Sequence, residues 1–256
     1  MAFRDALSAA TLVSDTVSLI HEMFDISRDR GHEMLIFDSI EQAPGHRVAI
    51  NFLTRNRICA ALNIKPEEFL DLLQWAMNNP STPEMVEEGP VQQCTQSPVD
   101  LKVLPIPHHW RQDRGRYMSA SVIIAEQDGV RNMSFHRQFL RDENHLVARL
   151  VPRHLRSMTD KSLAENKELP IAIINAPDPV VLLAAAMSFD HNLDELTVAA
   201  ALHEKIYSRP LQLVKLPNGI SVPADAEYAM WGSITPECDD EGPYVDITGT
   251  VDDVRQ

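Results

Sequence analysis

An α/β unit followed by a β-rich unit with inserted helices is the fold that this 256-residue sequence predicts. Three observations point to it. Up to residue 79, short apolar strand-like runs alternate with helical patterns. From Leu101 onward, short β-rich runs are separated by tight-turn signals. Between them, residues 80–98 concentrate proline and polar side chains, the composition of a linker.

Each element has its own reason. An amphipathic opening leads to residues 34–37 and 48–52, two short apolar strands. A helix is expected from Lys65-Pro66-Glu67-Glu68, where proline and acids fill the first turn, and it runs through Phe69, Leu72, Leu73 and Trp75. In the second unit, residues 119–126, 133–140 and 146–151 are β-rich, and Gln127-Asp128-Gly129 and Arg141-Asp142-Glu143-Asn144 between them are hairpin signals. Residues 171–174 read as a buried strand. Residues 179–187 and 194–207 read as helices, the first almost wholly apolar. Residues 211–215 and 226–234 close the region as strands, with Pro217-Asn218-Gly219 as a turn.

Composition narrows the function. Hydrophobic content of 44% and charged content of 23% suit a globular protein able to bury a full core. A net charge of −14 argues against nucleic acid or an anionic membrane as partner, since both call for a basic face. Cys59, Cys94 and Cys238 are too few and too scattered for a disulfide framework or a thiolate zinc site. The first residues carry Arg4, Asp5 and Asp15 and do not read as a signal peptide, and no apolar run approaches the roughly 20 residues of a membrane span. A cytoplasmic protein is expected. No HExxH, paired-cysteine, GxGxxG or P-loop pattern occurs, which counts against a hydrolytic zinc enzyme and the common nucleotide sites.

The residues that carry chemistry are Asn132, Ser134, Phe135 and Arg137, then His154, Glu195, Glu241 and Asp246. An amide, an imidazole and a carboxylate can together ligate a hard metal, beside an arginine and two further acids that can move protons. Arg137 sits between Phe135 and Phe139 in an apolar run, so it needs a carboxylate or phosphate partner; a buried ion pair and a functional arginine are equally good readings. Glu241 and Asp246 flank a Gly-Pro turn that can aim both acids into one cleft, where an arginine would push their pKa values apart. Composition alone would make the same loop an exposed acidic one. His154 by itself reads as an ordinary surface or core histidine, and Glu195 as a helix-start acid. Asn132 and Arg137 are an odd number of residues apart, so a regular strand would place them on opposite faces. A bulge or a strand break would reconcile them.

The blocks Asp100-Leu101, Leu104-Pro105-Ile106-Pro107, Asp113-Arg114-Gly115-Arg116-Tyr117, Arg131-Asn132, Arg137-Gln138, His154, Asp194-Glu195, residues 222–227 and Glu241-Gly242-Pro243-Tyr244 occur in an order that resembles the UbiD-like decarboxylases, the 3-octaprenyl-4-hydroxybenzoate carboxy-lyase family. The resemblance spans about 150 residues, and the first unit is also similar through Leu35-Ile36-Phe37 and Asn56-Arg57-Ile58-Cys59-Ala60-Ala61-Leu62. It implies an α/β N-terminal domain over residues 1–95 and an α+β split β-barrel domain of the flavin-reductase type over residues 96–256. It implies prenylated FMN lined by Ser134, Phe135, Arg137, Arg153, His154 and Met187. It implies Mn²⁺ or Mg²⁺ on Asn132, His154 and Glu195, with K⁺ as a further candidate ion. Arg137, Glu241 and Asp246 would be the catalytic network that protonates the substrate after carbon dioxide leaves.

The chain also departs from the family. Family members are considerably longer, and the resemblance leads to the expectation that their C-terminal α/β domain is absent here, whether the sequence is truncated, completed by a separate polypeptide or naturally short. Val245 stands where the loop usually has glycine, Trp231 where a strand usually has glutamate, and Thr250-Val251 replaces an aromatic pair. A β-branched residue disfavours positive φ, so Val245 is expected at ordinary negative φ. The reading favoured is a reversible, non-oxidative decarboxylase of an α,β-unsaturated or aromatic carboxylic acid, supplied with cofactor by a flavin prenyltransferase and assembled as an oligomer. A non-catalytic or half-enzyme subunit, completed by a separate C-terminal-domain chain, is the alternative. An ordinary FMN-binding reductase is the third, with no nicotinamide site to support it.

Overall fold

The computed structural model describes residues 2–31, 33–188, 193–246 and 248–255. In chain order the first part holds β1 (Thr11–Val13), α1 (Glu22–Asp29), β2 (Leu35–Phe37), β3 (Val48–Ile50), α2 (Arg55–Ala61) and α3 (Phe69–Asn78). Strand β2 is central, parallel to β1 and antiparallel to β3. Pro66 opens a 3-10 turn, Pro66–Glu68, that feeds α3; proline lacks the N–H that a first turn leaves unpaired in any case.

The remainder comprises β4 (Glu84–Met85), β5 (Tyr117–Met118), β6 (Val122–Gln127), β7 (Val130–Phe135), β8 (Gln138–Leu140), β9 (Leu146–Ala148), α4 (His154–Ala164), β10 (Leu169–Asn175), α5 (Pro179–Ala186), α6 (Glu195–Tyr207), β11 (Gln212–Lys215), β12 (Ser221–Pro223), β13 (Tyr228–Ile234), β14 (Tyr244–Val245) and β15 (Val251–Asp252). An antiparallel sheet has the order β13-β10-β6-β7. A second has the order β5-β8-β9, a third β12-β11-β4, and β14 with β15 forms a hairpin. The β6–β7 turn is Asp128-Gly129, both at positive φ (53° and 76°), the two-residue geometry whose twist matches that of the strands.

The single run expected over residues 133–140 is broken. Strand β7 ends at Phe135, and β8 starts at Gln138 in a different sheet. His136 and Arg137 form the corner between the sheets, and this break removes the parity conflict between Asn132 and Arg137. The stretch read as a linker, residues 80–98, is also docked rather than free. Strand β4 lies parallel to β11, Ser81 N donates to Thr197 O at 3.1 Å, and Val91 N donates to Ala224 O at 3.0 Å. The main apolar core crosses residue 95, joining Phe52, Ile58 and Leu62 to α5, α6 and β11.

Helix α5 buries every residue from Pro179 to Ala185, as a helix apolar all round must. Asp178 caps it, accepting from Val180 N at 2.9 Å, and Asp194 caps α6 by accepting from Leu196 N at 2.9 Å. Helix α4 has no counterpart among the expected elements. Its signal was present: Leu155, Met158, Thr159 and Ser162 recur at helical spacing and are the residues it buries. No helix among the described residues is long and apolar enough to cross a membrane.

Candidate active site

At the corner between sheets, Arg137 projects from a backbone with no ladder partner of its own. Its Nε donates to Glu241 Oε1 at 2.9 Å and its Nη2 to Glu241 Oε2 at 2.7 Å, the paired fork geometry that makes arginine–carboxylate contacts strong. Its Nη1 donates to Asp252 Oδ2 at 2.7 Å, and the Tyr244 ring covers its face with the centroid 4.5 Å from Cζ. Glu241 is 2% exposed, so this is a buried ion pair. Both readings of Arg137 are compatible with the geometry. Of a guanidinium's five N–H donors three are committed here, and one remains on each terminal nitrogen.

The Glu241 loop is held by the block Asp113-Arg114-Gly115-Arg116-Tyr117. Asp113 Oδ1 accepts from Val245 N at 2.8 Å, and Arg114 N donates to Pro243 O at 2.8 Å. Tyr117, 0% exposed, accepts from Gly242 N at 3.1 Å. Burial and the neighbouring Glu241 carboxylate both push the Tyr117 hydroxyl well above the usual phenol range, so it stays protonated. Arg116 turns the other way and ties down residues 102–106, donating to Ile106 O at 2.7 Å and Leu104 O at 2.6 Å. Glycine is required at 242: φ is 98°, and a Cβ there would meet Asp253 O at 3.1 Å. Val245 is not among the positive-φ residues; it is buried in β14 and pairs with Val251.

Asp246 lies elsewhere. It sits in the β14–β15 turn, where its Oδ1 accepts from Thr248 N at 2.7 Å, Thr248 Oγ1 at 2.6 Å and Thr250 N at 3.0 Å. The Thr248 hydroxyl, followed by the turn's backbone N–H groups, holds this carboxyl below its usual range. The second acid on Arg137 is therefore Asp252, not Asp246. Asp246, Val245 and Tyr244 line a cavity of about 800 Å³ that reaches Trp110 and the β3 edge.

On β7, Asn132 and Glu195 meet. Asn132 Nδ2 donates to Glu195 Oε1 at 3.1 Å, and Met133 N donates to Glu195 Oε2 at 2.9 Å. Ser134 Oγ donates to Asn132 Oδ1 at 3.1 Å and lies 3.1 Å from His136 Nε2. Both Asn132 and Glu195 are 4% exposed, and burial pushes the Glu195 carboxyl up to about 7. Arg131 Nη1 pairs with Asp194 Oδ2 at 2.9 Å, fixing the start of α6 and so the position of Glu195. His154 is the half-buried first residue of α4. Arg153 is its exposed N-cap, without an ion pair among the described residues. Phe135 and Met187 pack, partly buried, against the main core. No group of three His, Cys, Asp or Glu side chains poised for a metal occurs among the described residues, and Asn132 supplies a donor outside that set.

Asp252 and Arg149 were not legible as site residues. Arg149 is flanked by Ala148 and Leu150, and its demand for a partner was the available signal.

On an antiparallel framework this chain brings together an arginine–carboxylate network and a buried amide–carboxylate pair. It belongs to the UbiD family: the model of the 3-octaprenyl-4-hydroxybenzoate carboxy-lyase Rift-related domain matches residues 84–256. The chain is similar to the anhydromevalonate phosphate decarboxylase of Methanocaldococcus jannaschii, at 35% identity over 221 residues, covering 85% of this chain and 51% of that protein. Among solved structures it is similar to the UbiD-class enzyme HmfF from Pelotomaculum thermopropionicum in complex with FMN, with a TM-score of 0.93, 28% identity, and coverage of 100% of this chain and 60% of the other. An evolved dimeric form of HmfF in complex with prFMN gives a TM-score of 0.92 at 28% identity, covering 99% and 62%. The chain spans about half the length of the curated relatives it matches.

Proposed function

We propose that this protein acts in the reversible, non-oxidative decarboxylation of an α,β-unsaturated or aromatic carboxylic acid, with prenylated FMN and a divalent ion. The observation that carries this reading is Arg137, gripped by buried Glu241 while one N–H on each terminal nitrogen remains for a carboxylate. The decarboxylase named for the archaeal relative supports the reaction class, and the FMN and prFMN complexes of HmfF support the cofactor. We read residues 1–95 as the α/β unit and 96–256 as a split β-barrel of the flavin-reductase type.

Asn132 and Glu195, which meet in the structure, have the chemistry to hold the ion, and His154 is proposed as its third ligand. Glu195 is a buried carboxylate lifted to about 7, and a divalent ion on Glu195, Asn132 and His154 would relieve that strain with oxygen and nitrogen donors suited to Mn²⁺ or Mg²⁺. Arg153 and the first turn of α4 offer a cation and backbone N–H groups for a phosphate, with Ser134, Phe135 and Met187 as further lining. When bound, prenylated FMN supplies the electrophilic carbon chemistry and the ion supplies charge for its phosphate.

The chain's own residues then divide the work. Arg137 orients the substrate carboxylate. Glu241 accepts from Arg137 on both oxygens and so steers the arginine rather than donating a proton. Protonation of carbon falls to Asp246, which must first leave its three donors in the β14–β15 turn. That hairpin is short, with two paired positions, so a local opening suffices.

The test is carbon dioxide release from a panel of acrylic and aromatic acids by protein co-expressed with a flavin prenyltransferase. Release from at least one member is expected, with cofactor visible in the absorption spectrum. Protein loaded with cofactor and metal that releases none contradicts the reading.

A further inference from the structure

Glu241 fixes one edge of the Arg137 guanidinium, but a single edge does not fix its plane. The third contact does so: Asp252 Oδ2 accepts from Arg137 Nη1 at 2.7 Å. Asp252 is on a two-residue strand with its side chain 40% exposed, so it needs an anchor of its own. Arg149 provides one, with its Nη1 donating to the same Oδ2 at 2.8 Å. Arg149 is in turn tied to the corner that carries Arg137, since its carbonyl lies 3.3 Å from His136 Nδ1. The result is a chain of alternating charges, Arg149, Asp252, Arg137 and Glu241. Arg149 and Glu241 also both line a cleft of about 1220 Å³.

We propose that Asp252 and Arg149 are positioning residues that set the plane of Arg137 and thereby aim its two uncommitted N–H donors at the substrate carboxylate. The aim toward a carboxylate rests on the decarboxylase reading; the brace itself does not. A guanidinium freed at Nη1 can rock about its contact with Glu241, and small misplacements of an orienting group cost catalysis heavily.

Two measurements on the full chain test this. In cofactor-loaded protein, Asp252→Ala should lower kcat/KM about 10²-fold, mainly through KM for the carboxylic acid, and Asp252→Glu should recover at least a tenth of the loss, with Arg149→Met falling between them. Melting temperatures should stay close to wild type because Asp252 is at the surface. In protein labelled with ¹⁵N-arginine, and without any need for turnover, the Arg137 Nη1 hydrogens, assigned by their disappearance in Arg137→Lys, should exchange slowly with solvent in wild type and Asp252→Glu. They should exchange at least tenfold faster in Asp252→Ala. If loaded wild type turns over no acid, the decarboxylase reading fails and the exchange measurement alone decides the brace. Unchanged Nη1 exchange in Asp252→Ala, or unchanged kcat/KM in an active enzyme, overturns the proposal.

Discussion

Replacing Arg137 with alanine should destabilise the fold by about 3–5 kcal/mol, the range found when one member of a buried ion pair is removed. The loss comes from Glu241. At 2% exposure it would be left as a buried carboxylate without the cation that holds both its oxygens. Replacing both partners with methionine should therefore cost less than Arg137→Met alone, since no orphaned carboxylate remains. Urea unfolding of the two single variants and the double variant checks this. An Arg137→Ala midpoint equal to wild type would mean the pair contributes nothing, and with it would go the argument that Glu241 holds the arginine in place. Arg137→Lys keeps the charge but not the fork, and should recover stability better than activity.

The second large effect concerns Glu195 and a divalent ion. Its folded pKa of about 7 lies above the usual 4.5, so the native state binds a proton that the unfolded chain has released between these values. Stability from this group is full below about pH 4.5 and is lost as pH rises through 7, by about 3 kcal/mol in all. A divalent ion favours the ionised carboxylate and reverses the trend. At 100-fold excess over Kd it adds about 2.7 kcal/mol, or roughly 5–10 °C in Tm for a chain of this size. Millimolar Mn²⁺ should thus raise Tm clearly at pH 8 and little at pH 5, and Glu195→Gln should remove both the pH trend and the response to metal. Equal Mn²⁺ shifts at the two pH values, or in Glu195→Gln, would show that the ion sits elsewhere.

Local chemistry explains which features were readable. The Asp128-Gly129 turn, the proline-started α3 and the wholly apolar α5 each follow from one residue's conformational or burial demand, and the sequence displays those demands directly. Arg137 was readable for the same reason: an arginine in an apolar run must have a partner. Which partner it takes was not readable. Glu241 and Asp252 reach it from over 100 residues away, and the choice of Asp252 over Asp246 depends on a hairpin whose Thr248 and Thr250 donors occupy Asp246 first. The Asp113–Tyr117 block stood out as family-like, yet its work, holding the Glu241 loop through Gly242 and Val245, becomes visible only in three dimensions. The docking of residues 80–98 was hidden because proline-rich polar stretches look alike whether they hang free or pair with a strand such as β11.

On the proposed reading Asp246 protonates the carbon that carboxylate leaves, while Arg137, held by Glu241, orients the substrate. Deuterium incorporation measures that step alone: the decarboxylated product of a substrate is incubated in D₂O with cofactor- and metal-loaded protein, and label at the former carboxyl-bearing carbon is followed by mass. Wild type should exchange the hydrogen, and Glu241→Gln and Asp246→Asn should each slow exchange by about 10²–10⁴-fold. Exchange at the wild-type rate in both variants would show that neither Asp246 nor the Arg137–Glu241 pair serves the protonation step and would contradict the account.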